Sequence, residues 1–271
     1  MRLISRITLS ISRATYIFSE KIYRLVNILD ALNVAVLKPE EMAAIGRKAY
    51  TKMTEAFGSE ESVKYGLVDW EKTAVERFAA KGGSFLVLGA GGGRETIALA
   101  KMGFRVVGID SSPLMLKMGR ENAERWKVAV DFREGDFVSP DTGSEKFDYC
   151  LLSCVMYSSV PSTDMRVTML RNIRNILSDK GVLIIHFLLR PKNTPDKGKN
   201  IKLMVARLFR GNTGYRTGDS FSTALHFMRY FPNDEEVMSE IGQAGFRILD
   251  KEAYPESEYM ALSPVTCGQV Q

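Results

Sequence analysis

Residues 84–95 read Ser-Phe-Leu-Val-Leu-Gly-Ala-Gly-Gly-Gly-Arg-Glu, and this stretch decides the predicted fold. The apolar run Phe85–Leu88 predicts a buried parallel strand, because such strands are covered on both faces. Glycines follow at once, and a helix is predicted to begin at Arg94. Glycines permit a tight turn and let a ligand approach the backbone where a Cβ atom would clash. The turn is therefore predicted to face a ligand.

An acidic residue ends the next predicted strand. Residues 105–109 form that strand, and Asp110 lies 21 positions after Gly89. A carboxylate at this place can accept hydrogen bonds from both hydroxyl groups of a ribose. The strand, turn, helix and acidic strand end occur in register, which favours a nucleotide-type site over a glycine turn that only packs. A dinucleotide fingerprint would need glycine at position 94, and a P-loop would need a following Gly-Lys-Ser/Thr, so both are disfavoured.

Strands and helices alternate through most of the remaining chain. Strands are predicted over 85–88, 105–109, 130–133, 147–153 and 182–188, and helices over 94–102, 113–126 and 164–177. A helix over 234–244 precedes a final antiparallel pair, 247–254 and 258–262. This order predicts a doubly wound α/β fold with a mostly parallel seven-stranded sheet and an antiparallel final strand. Residues 190–228 interrupt the alternation and are predicted to form a lid or substrate-binding insertion.

The chain before the alternating region is predicted to be helical. Residues 1–68 are assigned to an N-terminal helical cap and residues 69–271 to the α/β domain. Apolar residues recur at helical spacing from Ile7 to Leu32, with basic residues between them at Arg13, Lys21 and Arg24. Two interpretations stay open: the apolar stripe packs on the main domain, or the helix lies on a membrane surface.

Composition bounds the class of protein. The chain has 271 residues, of which 45% are hydrophobic and 25% charged, as in an ordinary globular protein. A net charge of +5 without a dense basic run does not indicate nucleic-acid binding. Arg2, Arg6 and Arg13 interrupt the N-terminal apolar residues, so a secretory signal is not expected and a cytoplasmic location is predicted. The three cysteines lack CxxC spacing, so no metal site is predicted.

Residues 87–95 and 107–113 together resemble the class I S-adenosylmethionine (SAM)-dependent methyltransferases, which have a Rossmann-like fold. The resemblance covers residues 84–188 well and 231–262 more loosely. It implies SAM as the cofactor and S-adenosylhomocysteine (SAH) as the product, with the glycine turn at the methionine end and the acidic residues at the ribose and adenine. The cofactor-binding residues expected on this basis are Gly89, Ala90, Gly91, Gly93, Arg94, Asp110, Ser111, Asp136, Phe137 and Ser153.

The chain departs from the family pattern at one position. Many members carry an acidic residue two positions before the first glycine, where this chain has Val87. One polar contact to the cofactor is therefore missing from the motif. Arg94 or Tyr65 is a candidate to bind the amino-acid end instead, although Arg94 is equally a candidate for a solvated residue of the first helical turn.

Methyl transfer from a sulfonium is an in-line displacement, so alignment and desolvation do much of the work. A general base is needed only if the acceptor must lose a proton. The candidates are His226, His186 and Tyr157. Core packing is the alternative role of His186 and Tyr157, whereas His226 follows the insertion in a region expected to face the cleft.

The acceptor is expected to be a small molecule, with a lipid or quinone methylated at a membrane as the alternative. A non-catalytic SAM-binding protein and, more weakly, a nicotinamide reductase are the other hypotheses. A nucleic-acid acceptor is not expected, because residues 153–156 lack the Asn/Asp-Pro-Pro-Tyr/Phe motif of amino-group nucleic-acid methyltransferases. The sequence does not indicate an oligomeric state.

Overall fold

The computed structural model describes residues 2–50, 58–191, 199–221 and 226–265. The helices of this part are α1 (Arg2–Val36), α2 (Pro39–Tyr50), α3 (Glu60–Tyr65), α4 (Asp69–Phe78), α5 (Arg94–Lys101), α6 (Pro113–Arg125), α7 (Met156–Ser159), α8 (Thr163–Ile176), α9 (Lys199–Leu208) and α10 (Glu235–Gln243). The strands are β1 (Ser84–Leu88), β2 (Arg105–Asp110), β3 (Asp131–Glu134), β4 (Phe147–Leu152), β5 (Leu177–Leu189), β6 (Asp219–Phe221), β7 (Phe227–Phe231), β8 (Phe246–Tyr254) and β9 (Ser257–Pro264).

The nine strands form one mostly parallel sheet in the order β3-β2-β1-β4-β5-β7-β6, with β9 beside β5 and β8 beside β9. All seven predicted strands are present, and the predicted antiparallel ending is confirmed by the pairing of β9 with β5 and β8. The prediction of seven strands missed β6 and β7, which lie in or at the end of the insertion. Strand β7 joins the sheet in parallel through only two pairs of β5, at Leu188 and Leu189.

The two helices that flank the predicted site begin where the sequence indicates. Gly93 precedes α5 with a φ of 99°, a left-handed conformation that glycine adopts without steric cost. Ser112 caps α6 by accepting a hydrogen bond from the Met115 N–H at 3.3 Å, and Pro113 occupies the first helical position. Both helix starts therefore lie at the carboxyl edge of the sheet.

Strand β1 lies between β2 and β4, so the strand order reverses at β1. All five residues of β1 are buried, because helices cover both faces of the sheet there. In open α/β sheets, ligands bind at the carboxyl ends of the strands beside such a reversal. The fold therefore positions a site above β1, β2 and β4.

Helix α1 is attached to the rest of the protein at its C-terminal end. Val34 and Ala35 are buried, and the side-chain amide of Asn212 donates to the Val34 carbonyl oxygen at 3.2 Å. The large apolar residues from Ile7 to Leu29 are exposed, so the interpretation that this stripe packs on the main domain is wrong for that part. No helix of the described ranges combines the length and apolar character needed to cross a membrane. The domain boundary at residues 68 and 69 stays a prediction.

Buried ion pairs connect α8 with α10, and β7 with both β6 and α10. Arg166 on α8 donates to both carboxylate oxygens of Glu240 on α10, at 2.6 and 2.8 Å. In the same way, Arg229 on β7 is paired with Asp219 on β6 and with Glu236 on α10. Each buried charge has its partner, which lowers the cost of removing it from water. These pairs fix the orientation of β7 beside the site.

Candidate cofactor and acceptor site

A cavity of about 290 Å³ lies at the carboxyl edge of the sheet. Its strand-end wall consists of residues that follow β1 to β4: Gly89, Ala90, Gly91, Arg94, Glu95, Asp110, Ser111, Ser112, Met115, Gly135, Phe137, Val138, Ser153 and Cys154. Its second wall is called the apolar wall: Met42, Ala43, Gly46, Arg47, Tyr50, Ser62, Val155, Met156, Ser159, Val160, Pro161, Met165, His226, Phe227 and Met228. The volume is near the lower end of the ~300–1,000 Å³ typical of small-molecule sites.

Asp110 lies at the centre of the strand-end wall. One of its carboxylate oxygens accepts the Gly91 N–H at 2.8 Å, and the other accepts the Ser112 N–H at 2.8 Å. Burial raises the pKa of Asp110, while these backbone hydrogen bonds act in the opposite direction. Each oxygen retains acceptor capacity for a hydroxyl group from the cavity. The carboxylate therefore faces the cavity with acceptor capacity for hydroxyl groups, and its role at a ribose stays a prediction.

The three motif glycines have different environments. Gly91 has a φ of 50° and lines the cavity, so its backbone is open to a ligand. Gly89 also lines the cavity with a φ of 78°, but the Met156 side chain lies over it, and an added Cβ would fall 1.8 Å from the Met156 Sδ. Gly93 is not among the lining residues, and an added Cβ there would fall 3.0 Å from Ile97 Cδ1. Gly93 thus serves the helix start and its packing.

Arg94 lines the cavity but is held by two acidic side chains. Its guanidinium donates to both carboxylate oxygens of Glu71, at 2.7 and 2.8 Å, and to Glu95 at 2.5 Å. Burial raises the pKa of the Glu71 carboxyl, and the guanidinium opposes that shift. The third candidate in this region, Tyr65, is 73% exposed and does not line the cavity. Sequence reasoning missed Glu71 and Glu95 as the partners of Arg94.

Glu71, Glu95 and Cys154 bring potential metal-ligand atoms within 4.8 Å of one another. The Arg94 guanidinium contacts all three, with a distance of 3.7 Å to the Cys154 sulfur. A permanent cation thus already occupies the place where a metal ion would bind, and the donor set fits an ion-pair cluster better than a metal centre.

The remaining predicted cofactor residues divide into two groups. Ala90, Ser111, Phe137 and Ser153 line the cavity. Asp136 does not line it: one carboxylate oxygen accepts the Val138 N–H at 2.9 Å, and the other lies 3.6 Å from the Arg47 guanidinium. Asp136 therefore shapes the loop after β3 and connects it to α2.

Two of the three candidate bases lie outside the cavity. Tyr157 is fully buried, and its hydroxyl group donates to Glu240 at 2.5 Å. His186 stacks on the Trp70 ring at a centroid distance of 4.6 Å, and burial lowers its pKa to about 4. The imidazole of His186 is neutral and stacked, and the phenol of Tyr157 lies in the core. Both observations agree with core packing, the alternative role given to these two residues.

His226 lies in the apolar wall, immediately before β7. Its ring is 5.7 Å from that of Tyr50, measured between centroids, and both residues line the cavity. Burial raises the pKa of the Tyr50 phenol, so this hydroxyl group stays protonated at neutral pH. The pair combines an imidazole with a phenolic hydrogen-bond donor at the cavity wall. Sequence reasoning found His226 and missed Tyr50, whose position near the end of α2 carried no motif.

The fold is that of a Rossmann-like domain, with a cavity at the carboxyl edge of its sheet. Residues 85–181 match the sequence family described as "Methyltransferase domain". Residues 85–181 therefore form a methyltransferase domain, with SAM as its cofactor.

The relatives include a ribosomal protein L11 methyltransferase from Thermosipho africanus, 29% identical over 140 residues that cover 50% of each chain. A ubiquinone biosynthesis O-methyltransferase from Actinobacillus pleuropneumoniae is 32% identical over 115 residues, which are 40% of this chain and 47% of the relative. The matches thus span about half the length of these relatives.

Among solved structures, the 1,6-didemethyltoxoflavin-N1-methyltransferase of Burkholderia thailandensis, with bound 1,6-didemethyltoxoflavin and S-adenosylhomocysteine, is similar with a TM-score of 0.61. The similarity covers 84% of this chain and 91% of that one at 19% identity, and it supports the fold alone.

Proposed function

We propose that this protein transfers the methyl group of SAM to an apolar small molecule that binds against the apolar wall. The observation that carries the proposal is the single cavity that joins the glycine turn and Asp110 to a wall rich in methionine and aliphatic side chains. An apolar acceptor gains free energy by leaving water for such a wall. The ubiquinone biosynthesis O-methyltransferase among the relatives, by its name, supports a small-molecule acceptor.

When bound, SAM supplies a methyl group on an activated sulfonium leaving group. The residues of the chain then provide alignment and desolvation. Asp110 and Gly91 hold the nucleoside side, while Met165 and Met228 pack against the acceptor. His226 accepts the proton of an acceptor hydroxyl or amine group, with Tyr50 orienting that group by a hydrogen bond.

Methyl transfer is tested with isotopically labelled SAM and a panel of acceptors: planar phenols and quinols, polar hydroxy acids, and a basic peptide. We expect label on the planar apolar acceptors only. His226→Gln should lower kcat about 100- to 10,000-fold with an unchanged Kd for SAH, as expected for the loss of a general base. His186→Gln is the matched control and should keep the wild-type kcat. Label on the peptide alone, or on none of the acceptors, would contradict the proposal.

A second candidate function is attachment to an anionic membrane surface through α1 and α9, which pack against each other. The exposed large apolar residues of α1 include Ile7, Leu9, Ile11, Tyr16, Ile17, Phe18, Ile22, Tyr23, Leu25, Ile28, Leu29 and Val36, and those at α9 include Ile201, Met204, Leu208 and Phe209. Residues 2–36 contain five Lys or Arg and two Asp or Glu, and residues 199–210 contain four Lys or Arg and no acidic residue. Apolar and basic side chains together favour an anionic bilayer surface.

Attachment is tested by flotation with vesicles of phosphatidylcholine alone or mixed with phosphatidylserine, an anionic lipid of the cytoplasmic leaflet. We expect binding to the anionic vesicles only. The double variant Arg13→Glu, Arg24→Glu should lose it, whereas Lys72→Glu, Lys117→Glu, which changes the same charge on α4 and α6, should not. If light scattering shows instead a dimer that ignores vesicles, a second copy of the chain covers α1 and the membrane proposal is wrong.

A further inference from the structure

The buried charges beside the glycine turn do not balance. Glu71, Arg94 and Glu95 form one cluster, with two carboxylates for a single guanidinium. The side chain of Glu71 is 0% exposed, that of Glu95 4% and that of Arg94 13%. An uncompensated charge at such burial is costly unless a partner neutralises it. The cluster therefore favours a cationic group from the cavity.

The two carboxylates have different roles within the cluster. Glu71 uses both of its oxygens on Arg94, and one of them also accepts the Val68 N–H at 2.9 Å, which caps α4. Glu71 thus anchors Arg94 and does not line the cavity. Glu95 lines the cavity and accepts hydrogen bonds from Arg94 and the Ser153 hydroxyl group through one oxygen, Oε1. The described residues provide no hydrogen bond to its other oxygen.

The position of Glu95 matches a gap in the motif. The family's usual acidic residue near the methionine end is replaced by Val87, whose side chain is fully buried in the core. Glu95 is in the first turn of α5, directly after the glycine turn, and faces the same cavity as Gly89 and Gly91. A carboxylate there lies at the end of the cavity expected to receive the amino acid of SAM.

We propose that Glu95 binds the α-ammonium group of the methionine end of SAM, in place of the acidic residue that the motif lacks. This inference rests on the proposed function and specifies how the same site recognises its cofactor. Glu71 and Arg94 are positioning residues that hold Glu95 at the wall. Because Arg94 is already held by Glu71 and Glu95, it is not the group that selects the amino-acid end.

The test compares three ligands by calorimetry: SAH, SAH that lacks the α-amino group, and 5′-methylthioadenosine, which lacks the whole amino acid. The wild-type protein should bind SAH about 10- to 100-fold more tightly than deaminated SAH, as expected for a hydrogen bond between charged groups. Glu95→Gln should lose this preference while its affinity for deaminated SAH stays within about twofold. The matched control Glu121→Gln, on the exposed face of α6, should keep the full preference.

Equal affinity of the wild-type protein for SAH and deaminated SAH would overturn the inference, and this measurement needs no variant. The inference is also overturned if Glu95→Gln weakens the binding of SAH and of deaminated SAH equally, since Glu95 would then act through the fold of the turn. Binding of 5′-methylthioadenosine separates the two proposals: if it binds but the amino group makes no difference, only the role of Glu95 fails. If none of the three ligands binds, the proposed function fails with it.

Discussion

The two walls of the cavity are built in different ways. The strand-end wall comes from short segments that each follow a strand between β1 and β4, and it presents backbone groups, small residues and a few charged side chains. The apolar wall combines α2 and Ser62 with residues 155–165 and 226–228, which are far apart in the chain. The strand-end wall lies within the matched domain, residues 85–181, whereas much of the apolar wall lies outside it.

This difference indicates which part of the function the fold determines. Parallel strands end at a common edge, so a glycine turn and an acidic strand end meet wherever the sheet forms. The apolar wall depends instead on how α2 and β7 dock, which is set by long-range packing of Met42, Phe221 and Phe227. The cofactor is thus specified by local sequence, and the acceptor by tertiary packing.

The largest expected effect is on the strand-end wall. Asp110→Ala removes the acceptor of two backbone N–H groups and of the proposed ribose hydroxyls, so the Kd for SAH should rise about 100-fold, or about 3 kcal/mol. Asp136→Ala, which changes the same residue type one loop away, should alter the Kd less than about threefold, because Asp136 does not line the cavity. Calorimetry measures the Kd for SAH of both variants. An equal loss of affinity in the two would mean that the nucleoside lies between the loops after β2 and β3.

The next effect separates the two histidines. Burial lowers the pKa of His186 to about 4 from an ordinary 6.5, so the unfolded chain binds a proton between these values while the folded protein does not. Stability should therefore fall as pH drops from 6.5 towards 4, with a contribution of about 2 kcal/mol lost at pH 5.

Urea unfolding at pH 5 and pH 7.5 measures this effect. The variant His186→Phe preserves stacking on Trp70. When the pH drops from 7.5 to 5, its free energy of unfolding should fall by about 2 kcal/mol less than that of the wild-type protein. His226→Phe, which replaces the other of the two histidines, is measured in parallel. A His186→Phe protein with unchanged pH dependence would show that the imidazole is not desolvated.

A smaller effect is expected where the walls touch. Gly89→Ala forces a side chain into a φ of 78° and against Met156, so the free energy of unfolding should fall by about 1–2 kcal/mol and SAH should bind more weakly. Adding Met156→Ala to the Gly89→Ala variant should restore the stability lost through the contact with Met156. The stability lost through backbone strain should remain lost. No recovery in the double variant would mean that Met156 does not limit this position.

The smallest effect belongs to the apolar wall. Met228→Ala shortens one side chain that faces the proposed acceptor, so KM for the acceptor should rise about two- to fivefold, or up to about 1 kcal/mol. The KM for SAM should stay constant, which steady-state kinetics with each substrate varied in turn will measure. A parallel rise in both values would mean that the walls do not divide the substrates between them.

Local patterns in the sequence predict most of the fold. Periodicity, glycine stops and the Ser112-Pro113 helix start placed all seven predicted strands and the helices between them within a few residues. The signal failed for β7, because the buried Arg229 at its centre breaks the expected pattern of apolar residues and the strand joins β5 through only two pairs. Its place depends on ion pairs with Asp219 and Glu236, which no local pattern encodes.

The candidate site divides along the same line. Gly91 and Asp110 were predictable because their roles follow from strand geometry. Arg94 pairs with Glu71, which lies 23 positions away and is brought close by tertiary packing. The sequence alone therefore did not decide whether Arg94 contacts a ligand or is a solvated residue. Tyr50 and His226 come together only when α2 docks on β7. Sequence analysis therefore singled out His226, one of two histidines, and did not single out Tyr50, one of ten tyrosines.

The most direct test of the central claim is a calorimetric titration of the unmodified protein with SAH and, separately, with NADH. The glycine turn, Asp110 and the absence of glycine at position 94 predict saturable one-to-one binding of SAH and no binding of NADH. Binding of NADH in preference to SAH would contradict the account, because the bend after β1 would then accept a dinucleotide.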